Sequence, residues 1–359
     1  MDSQYKFFVT NLVYSPFGNK IVSLLGLMKL YADYKAYSSK RNAFRVAKKE
    51  FGKETAKEGN LEDYKQALDK HWVSYDEYIQ YEFWKKTEEE RREFVSRAKM
   101  AYFHRRYTPA NVKAVFRKDR FLNFFSSYIH RCWIYTPKAS YEEFARLVSK
   151  YDCIIKPCNG KLGRGIFKVY KNSDHTDDKD LYDSCVKDRM LVEQCIESCE
   201  ELKSFHPQSL NTIRVVTVSN REKSEVFGSF LRMGRGNSIV DNAHAGGVFA
   251  QINIKTGTIE SDGIDTNGNR FVCHPDSGIK LKGFVIPRWE SIVRTCCEAA
   301  KLSGNTLVDW DVAVNKQGEI EFVEANWGPD FDVMQSPLQV GVKKRLFAKI
   351  KEYRGIEMK

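Results

Sequence analysis

Two apolar runs of strand length stand close together near the C-terminus. They are Leu307-Val308-Asp309-Trp310-Asp311-Val312-Ala313-Val314 and Ile320-Glu321-Phe322-Val323-Glu324-Ala325-Asn326. The polar, glycine-bearing Asn315–Glu319 separates them, so the pair reads as a β-hairpin. Residues two apart on a strand share a face, which puts Glu324 and Asn326 on one side. Asp311 lies thirteen residues before Glu324, and antiparallel pairing about that turn can bring it to the same side. Two carboxylates and an amide oxygen make a hard-oxygen set of the kind Mg²⁺ shares with phosphate oxygens. The alternative is an ordinary solvated hairpin face, and the rest of the chain has to decide between them.

A chain of 359 residues with 42% hydrophobic content is long enough for two or three domains with a good core. Its longest apolar run, Ile21–Met28, is too short to cross a bilayer, and no signal-peptide pattern opens the sequence. The expected location is therefore cytoplasmic. The nine cysteines form no CxxC pair; Cys195 and Cys199 lie four apart and Cys296 adjoins Cys297. Reduced thiols are expected rather than a disulfide frame or a zinc site. The net charge of +11 lies entirely in residues 1–150, with 29 Lys+Arg against 18 Asp+Glu, while the remainder holds 29 of each. Such a basic half suits either an anionic partner or a solvated helical surface.

Residues 1–105 read as helical, with apolar and aromatic residues recurring at three and four (Leu24, Leu27, Met28, Tyr31, Tyr34, Ala36) and again through Tyr75–Trp84. Ser74 with Glu77 makes a capping box, and Thr87 precedes the helix start Glu88-Glu89-Glu90. The aromatic stripes read as packing between helices, with a membrane-lying face as the alternative. Tyr141–Lys150 is a short amphipathic helix. Strand Cys153–Pro157 then runs into Asn159-Gly160-Lys161-Leu162-Gly163-Arg164-Gly165, and strand Ile166–Tyr170 follows. Three glycines and two cations at a hairpin tip let backbone amides approach an anion, although the spacing is not that of a P-loop. Met190–Ile196 is a buried-type strand followed by Glu197, Glu200 and Glu201. Ser209–Val218 leads into a strand with Arg214 near its start, which pairs with Val226–Met233; Arg232–Gly236 and Asp241–Gly247 are glycine-rich loops, the second holding His244. A hairpin about Lys255-Thr256-Gly257, a helix over Pro287–Leu302 ended by Gly304, and a basic helix over Val340–Tyr353 complete the chain.

In this order the pieces resemble the ATP-grasp superfamily over roughly residues 110–345. LNTIRVVTV, DNAHAGGVFAQI, DWDVAV and FVEAN most resemble its sugar-transfer-associated group, which is similar to the RimK-like carboxylate–amine ligases and often encoded among bacterial surface-polysaccharide (capsule) genes. The resemblance implies an α+β ATP-grasp fold, two subdomains gripping the nucleotide, preceded by a mainly helical domain. The expected divisions are a basic helical domain over residues 1–109, a small subdomain 110–196 and a large subdomain 197–359 with the metal site and C-terminal helix. It implies ATP and Mg²⁺ as cofactors. Lys156 would reach the phosphates. Gly160, Lys161, Gly163, Arg164 and Gly165 would form the phosphate flap, and Glu193, Gln194, Cys195 and Ile196 the adenine hinge. One of Glu197, Glu200 or Glu201 would hold the ribose, with Glu201 taken as the candidate. Arg214 would stabilise charge on the transferred phosphoryl group, and Asp311, Glu324 and Asn326 would bind the metal.

Two departures stand out. Many relatives carry Asp-Lys at the first phosphate contact, where this chain has Lys118-Asp119-Arg120, which makes Arg120 the replacement candidate. Many ligases also place a cation two residues after the Glu-x-Asn asparagine, where Gly328 stands here; Arg232 or Arg235 would have to serve instead. His244 is a candidate substrate contact or base, with a structural role as the alternative.

The resemblance therefore implies a ligase that phosphorylates a carboxylate and joins an amine to the acyl phosphate, with a uronic acid and an amino acid fitting surface-glycan synthesis. The basic half would hold an anionic glycan, a nucleotide-sugar or a lipid-linked intermediate at the inner membrane face; no nucleic acid is expected. Two other readings stay open, a kinase acting on a sugar or other small-molecule hydroxyl and a catalytically idle binding module.

Overall fold

The computed structural model describes residues 40–52, 59–108, 112, 115–159, 165–173, 178–241, 246–329 and 331–358. The chain forms two compact units, Met1–Lys86 and Thr87–Lys359. The segment Gly160–Arg164, residue His244 and the stripe Leu24–Ala36 lie outside the described residues.

In the first unit residues 40–51 are helical, followed by α1 (Leu61–His71) and α2 (Tyr75–Gln80). Asn60 caps α1, and the box expected at α2 is present: Ser74 Oγ accepts from the Glu77 amide while Glu77 accepts from the Ser74 amide at 2.9 Å. The aromatic repeat is packing. Tyr64, Tyr78, Tyr81 and Phe83 are fully buried, and Phe51, Tyr75 and Tyr78 meet edge to face.

The second unit begins with α3 (Glu88–Arg92), whose Thr87/Glu90 capping box is formed, then α4 (Arg97–Tyr107) and α5 (Lys118–Phe124). A four-stranded antiparallel sheet follows, built from β1 (Trp133–Tyr135), β2 (Cys153–Pro157), β3 (Phe167–Val169) and β4 (Met190–Gln194) in the order β1-β4-β2-β3. Strand alternation sends Cys153, Ile155, Met190 and Val192 into a core with α6 (Tyr141–Lys150) and α7 (Asp178–Lys187). The other face carries Lys156 and Glu193, with Trp133 and Ile154 paired beside Glu193.

After the short α8 (Glu200–Lys203) comes a seven-stranded antiparallel sheet ordered β11-β10-β5-β6-β7-β8-β9. Its strands are β5 (Thr212–Ser219), β6 (Ser224–Met233), β7 (Val248–Ile252), β8 (Gly263–Ile264), β9 (Arg270–Phe271), β10 (Leu307–Val314) and β11 (Ile320–Asn326). α9 (Trp289–Ser303) ends on Gly304 at φ +67°, as its sequence signals, and joins one core with Val215, Leu231, Trp310 and Phe322. The opposite face packs Val216, Val218 and Phe230 against α10 (Asp332–Gln335) and α11 (Lys343–Arg354). No helix among the described residues is long and apolar enough to cross a membrane.

Candidate active site

The same strand alternation that buries Trp310 and Val312 turns Asp309 and Asp311 to the opposite face of β10. Asp311 pairs with Arg214 of β5 on one side and Glu324 of β11 on the other; Asp309 pairs with Val216 and Asn326. The hairpin reaches this alignment through a bulge. From Val314↔Ile320 to Val312↔Phe322 the pairing is regular, and then Asp311 meets Glu324 because the ladder shifts by one residue there, past Val323. Without that extra residue in the bulge, a regular ladder would set Val323 opposite Asp311 and send Glu324 to the core face.

Asp311 is almost fully buried, and two guanidiniums hold it. Arg214 Nε and Nη2 donate to its Oδ1 and Oδ2 at 2.5 and 2.6 Å, and Arg232 Nη1 donates to Oδ2 at 2.6 Å. Burial alone would raise its pKa, but these charges outweigh burial and hold the carboxyl far below the usual range. Arg214 Nη1 also lies 3.3 Å from Asp309, whose Oδ1 accepts the Asn326 amide at 3.1 Å. Arg232 reaches on to Asp241 at 3.0 Å, and Asp241 takes the Thr212 amide at the same distance. Burial pushes the Asp241 carboxyl up in spite of Arg232.

Glu324 is half-buried and Asn326 exposed. No cluster of three or more His, Cys, Asp or Glu side chains makes a ready metal cage among the described residues. Mg²⁺ binds through one or two carboxylates, water and substrate phosphates rather than in an all-protein cage. Asp311 and Glu324 with the Asn326 amide oxygen fit that donor set.

On the four-stranded sheet, Lys156 Nζ lies 2.7 Å from Glu193 Oε1. Glu193 is buried; its carboxyl would be raised by burial but is brought down to about 2 by Lys156 and Arg131. The amides of Gln194 and Cys195 donate to the carbonyls of Cys132 and Asp152 at 2.9 and 2.7 Å, and Ile196 follows them. Glu197, Glu200 and Glu201 are exposed; Glu197 pairs with Lys316 at 2.6 Å and Glu200 with Lys203 at 3.4 Å. Gly165, two residues before β3, sits at φ +73°.

Arg120 points out of α5 into solvent, while the half-buried Lys118 feels the charges of Glu324, Lys156 and Glu193. Burial lowers the Lys118 pKa, and Glu324 opposes that shift. The chain has no lysine directly after Asp119, and Lys118 lies about 200° round the helix from Arg120. Arg235 stands apart from the Asp311 cluster, with Nη1 3.5 Å from Asp265 and its guanidinium over Phe271. Its loop is pinned by two buried imidazoles, as His206 and His274 each donate through Nε2 to the carbonyls of Gly236 and Gly234 at 2.8 Å.

Two antiparallel sheets, one carrying Lys156 and the other the carboxylate-bearing hairpin, make the fold that of an ATP-grasp protein. The description "Sugar-transfer associated ATP-grasp" matches residues 125–351, and the chain belongs to that family. No curated protein matches the sequence. Among solved structures, the ATP-grasp ligase PsnB complexed with minimal precursor, Mg and ADP aligns at 14% identity and TM-score 0.42, over 68% of this chain and 62% of that one. Biotin carboxylase from Campylobacter jejuni aligns at 14% and 0.44 (68% and 47% of the two chains), and the D-alanine-D-alanine ligase from Coxiella burnetii at 12% and 0.37 (68% and 63%). This chain thus spans less than two thirds of the length of each.

Proposed function

We propose that the protein is an ATP-dependent carboxylate–amine ligase working through an acyl phosphate. The observation that carries this reading is the buried Asp311 clamped by Arg214 and Arg232 directly across from Glu324: cations for a transferring phosphoryl group and hard oxygens for a metal lie on one face. Hydroxide leaves a carboxylate poorly at neutral pH, whereas phosphate leaves readily, so activation must precede attack by the amine. Lys118 and Lys156 would hold the nucleotide phosphates, and Glu193–Ile196 the adenine edge. One of Glu197, Glu200 and Glu201 would hold the ribose. Arg214 and Arg232 would neutralise charge on the moving phosphoryl group, where fixed cations in a partly dry site are most effective. Asp311, Glu324 and Asn326 would hold Mg²⁺, which when bound neutralises the β- and γ-phosphate oxygens. Lys161 and Arg164 would close over the phosphates and exclude water, which otherwise hydrolyses the activated acid.

In this reading residues 110–196 and 197–359 are the two halves of the grip and residues 1–109 the basic domain. The acid would be a uronic acid or another carboxylate in surface-polysaccharide synthesis. The concentration of charge in residues 1–150 supports an anionic glycan or lipid-linked substrate at the inner membrane face.

The test is ADP release with Mg-ATP and hydroxylamine across a panel of uronates, nucleotide-uronates and amino acids, with Glu324→Gln as control. Hydroxamate that disappears in the variant supports the ligase and names the acid. ADP with a stable phosphoester and no hydroxamate overturns it in favour of a kinase.

A further inference from the structure

Arg131 lies between the two sheets and is buried. Its Nε donates to Glu193 Oε2 at 2.7 Å, and Nη1 donates to Glu321 Oε1 at 2.5 Å and to the Phe322 carbonyl at 2.8 Å. Nη2 reaches the carbonyl of Val323 at 3.3 Å. The neighbouring His130 amide donates to Glu321 Oε2 at 3.0 Å. Two of these contacts bear on the candidate site. Glu193 is the carboxylate that holds Lys156, and Val323 lies at the bulge that turns Glu324 toward Asp311.

We infer that Arg131 is a positioning residue for phosphate and metal binding, one guanidinium fixing together the carboxylate that aims Lys156 and the bulge that aims Glu324. The inference rests on the ATP-binding reading above. A planar fork with five donors can serve four acceptors from two sheets at once, and a lysine ammonium cannot. By taking Glu193 Oε2, Arg131 leaves only Oε1 to Lys156, which fixes where that ammonium stands on its sheet. By holding the carbonyls on either side of the bulge, it stabilises the register on which Glu324 depends. Arg131 touches neither nucleotide nor metal in this account.

The test compares Arg131→Lys and Glu321→Gln with the wild type in binding two probes, Mg-AMP-PNP and adenosine, and follows folding by thermal melts. Arg131 contacts the Glu193 carboxylate and not the Glu193–Ile196 backbone assigned to the adenine edge, so both variants are expected to lose about tenfold or more in affinity for Mg-AMP-PNP. Their adenosine affinity should stay within about twofold. An equal loss for both probes, an unchanged Mg-AMP-PNP affinity, or the failure of both variants to fold overturns the inference and leaves Arg131 as a structural tie. If the wild type binds neither probe, the ATP reading fails first and this inference with it; variants that match a binding-competent wild type sink this inference alone.

Discussion

Asp311 and Glu324 stand directly opposite each other across the hairpin, and they do so because one residue is bulged beside them. The two are not equivalent. Asp311 is locked between Arg214 and Arg232, whereas Glu324 is half-exposed and faces the charge of Lys118. Replacing Asp311 by Asn therefore removes a charge that two buried guanidiniums need, at a cost of about 3–5 kcal/mol in stability. Glu324→Gln should keep the melting temperature near that of the wild type and raise the Mg²⁺ concentration required for AMP-PNP binding by about tenfold. Thermal melts and Mg²⁺ titrations of the two variants separate these roles; equal effects on both readouts would contradict the asymmetry.

Lys118 and Arg120 offer a second comparison. They sit two residues apart on α5, but only Lys118 turns toward Glu324, Lys156 and Glu193. Lys118→Gln is expected to weaken Mg-AMP-PNP binding by about tenfold, and Arg120→Gln to leave it within about twofold. The reverse ranking in a nucleotide titration would return the phosphate contact to Arg120.

How much of this was legible beforehand depends on the range of the interaction. The hairpin, the caps at Ser74 and Thr87, and the stop at Gly304 follow from residues a few positions apart, and each formed where the sequence marks it. The expectation that antiparallel pairing could bring Asp311 to the face of Glu324 is met by the ladder. The bulge at Val323 was not legible, because local pattern does not state where a ladder slips. Nor was Arg131, an arginine in an ordinary loop whose four acceptors come from positions 193 to 323. Nor does a hinge position for Glu193 foretell that its side chain is the counter-ion of Lys156. Interactions across such separations leave no local signature in one sequence.

Acid should act on the fold through Glu193. Its folded-state pKa of about 2 lies below the unfolded value of about 4.3, so its stabilising contribution is present above that value and is lost as pH falls through 2. For a group this deeply buried the contribution is on the order of 3 kcal/mol. Chemical denaturation at pH 7, 4 and 3 should show stability falling across this window. Glu193→Gln should begin less stable at pH 7, with Lys156 and Arg131 left without their carboxylate, and fall less steeply; parallel curves would show that another carboxylate carries the acid response.

Gly328 explains its own departure from the cation that many ligases carry at this position. A Cβ built there would come 3.1 Å from the ring of His104, and that imidazole is buried, its Nε2 donating to the Pro329 carbonyl at 3.2 Å. The ring also stands edge-on to Trp327, so it has little room to give way. Installing the family's cation as Gly328→Lys should therefore cost about 1–3 kcal/mol from overpacking. Combining it with His104→Ala should recover part of that loss, because the second change opens the space the first requires. A double-mutant cycle by chemical denaturation measures the coupling. A coupling near zero would mean that the imidazole does not limit the space at this position.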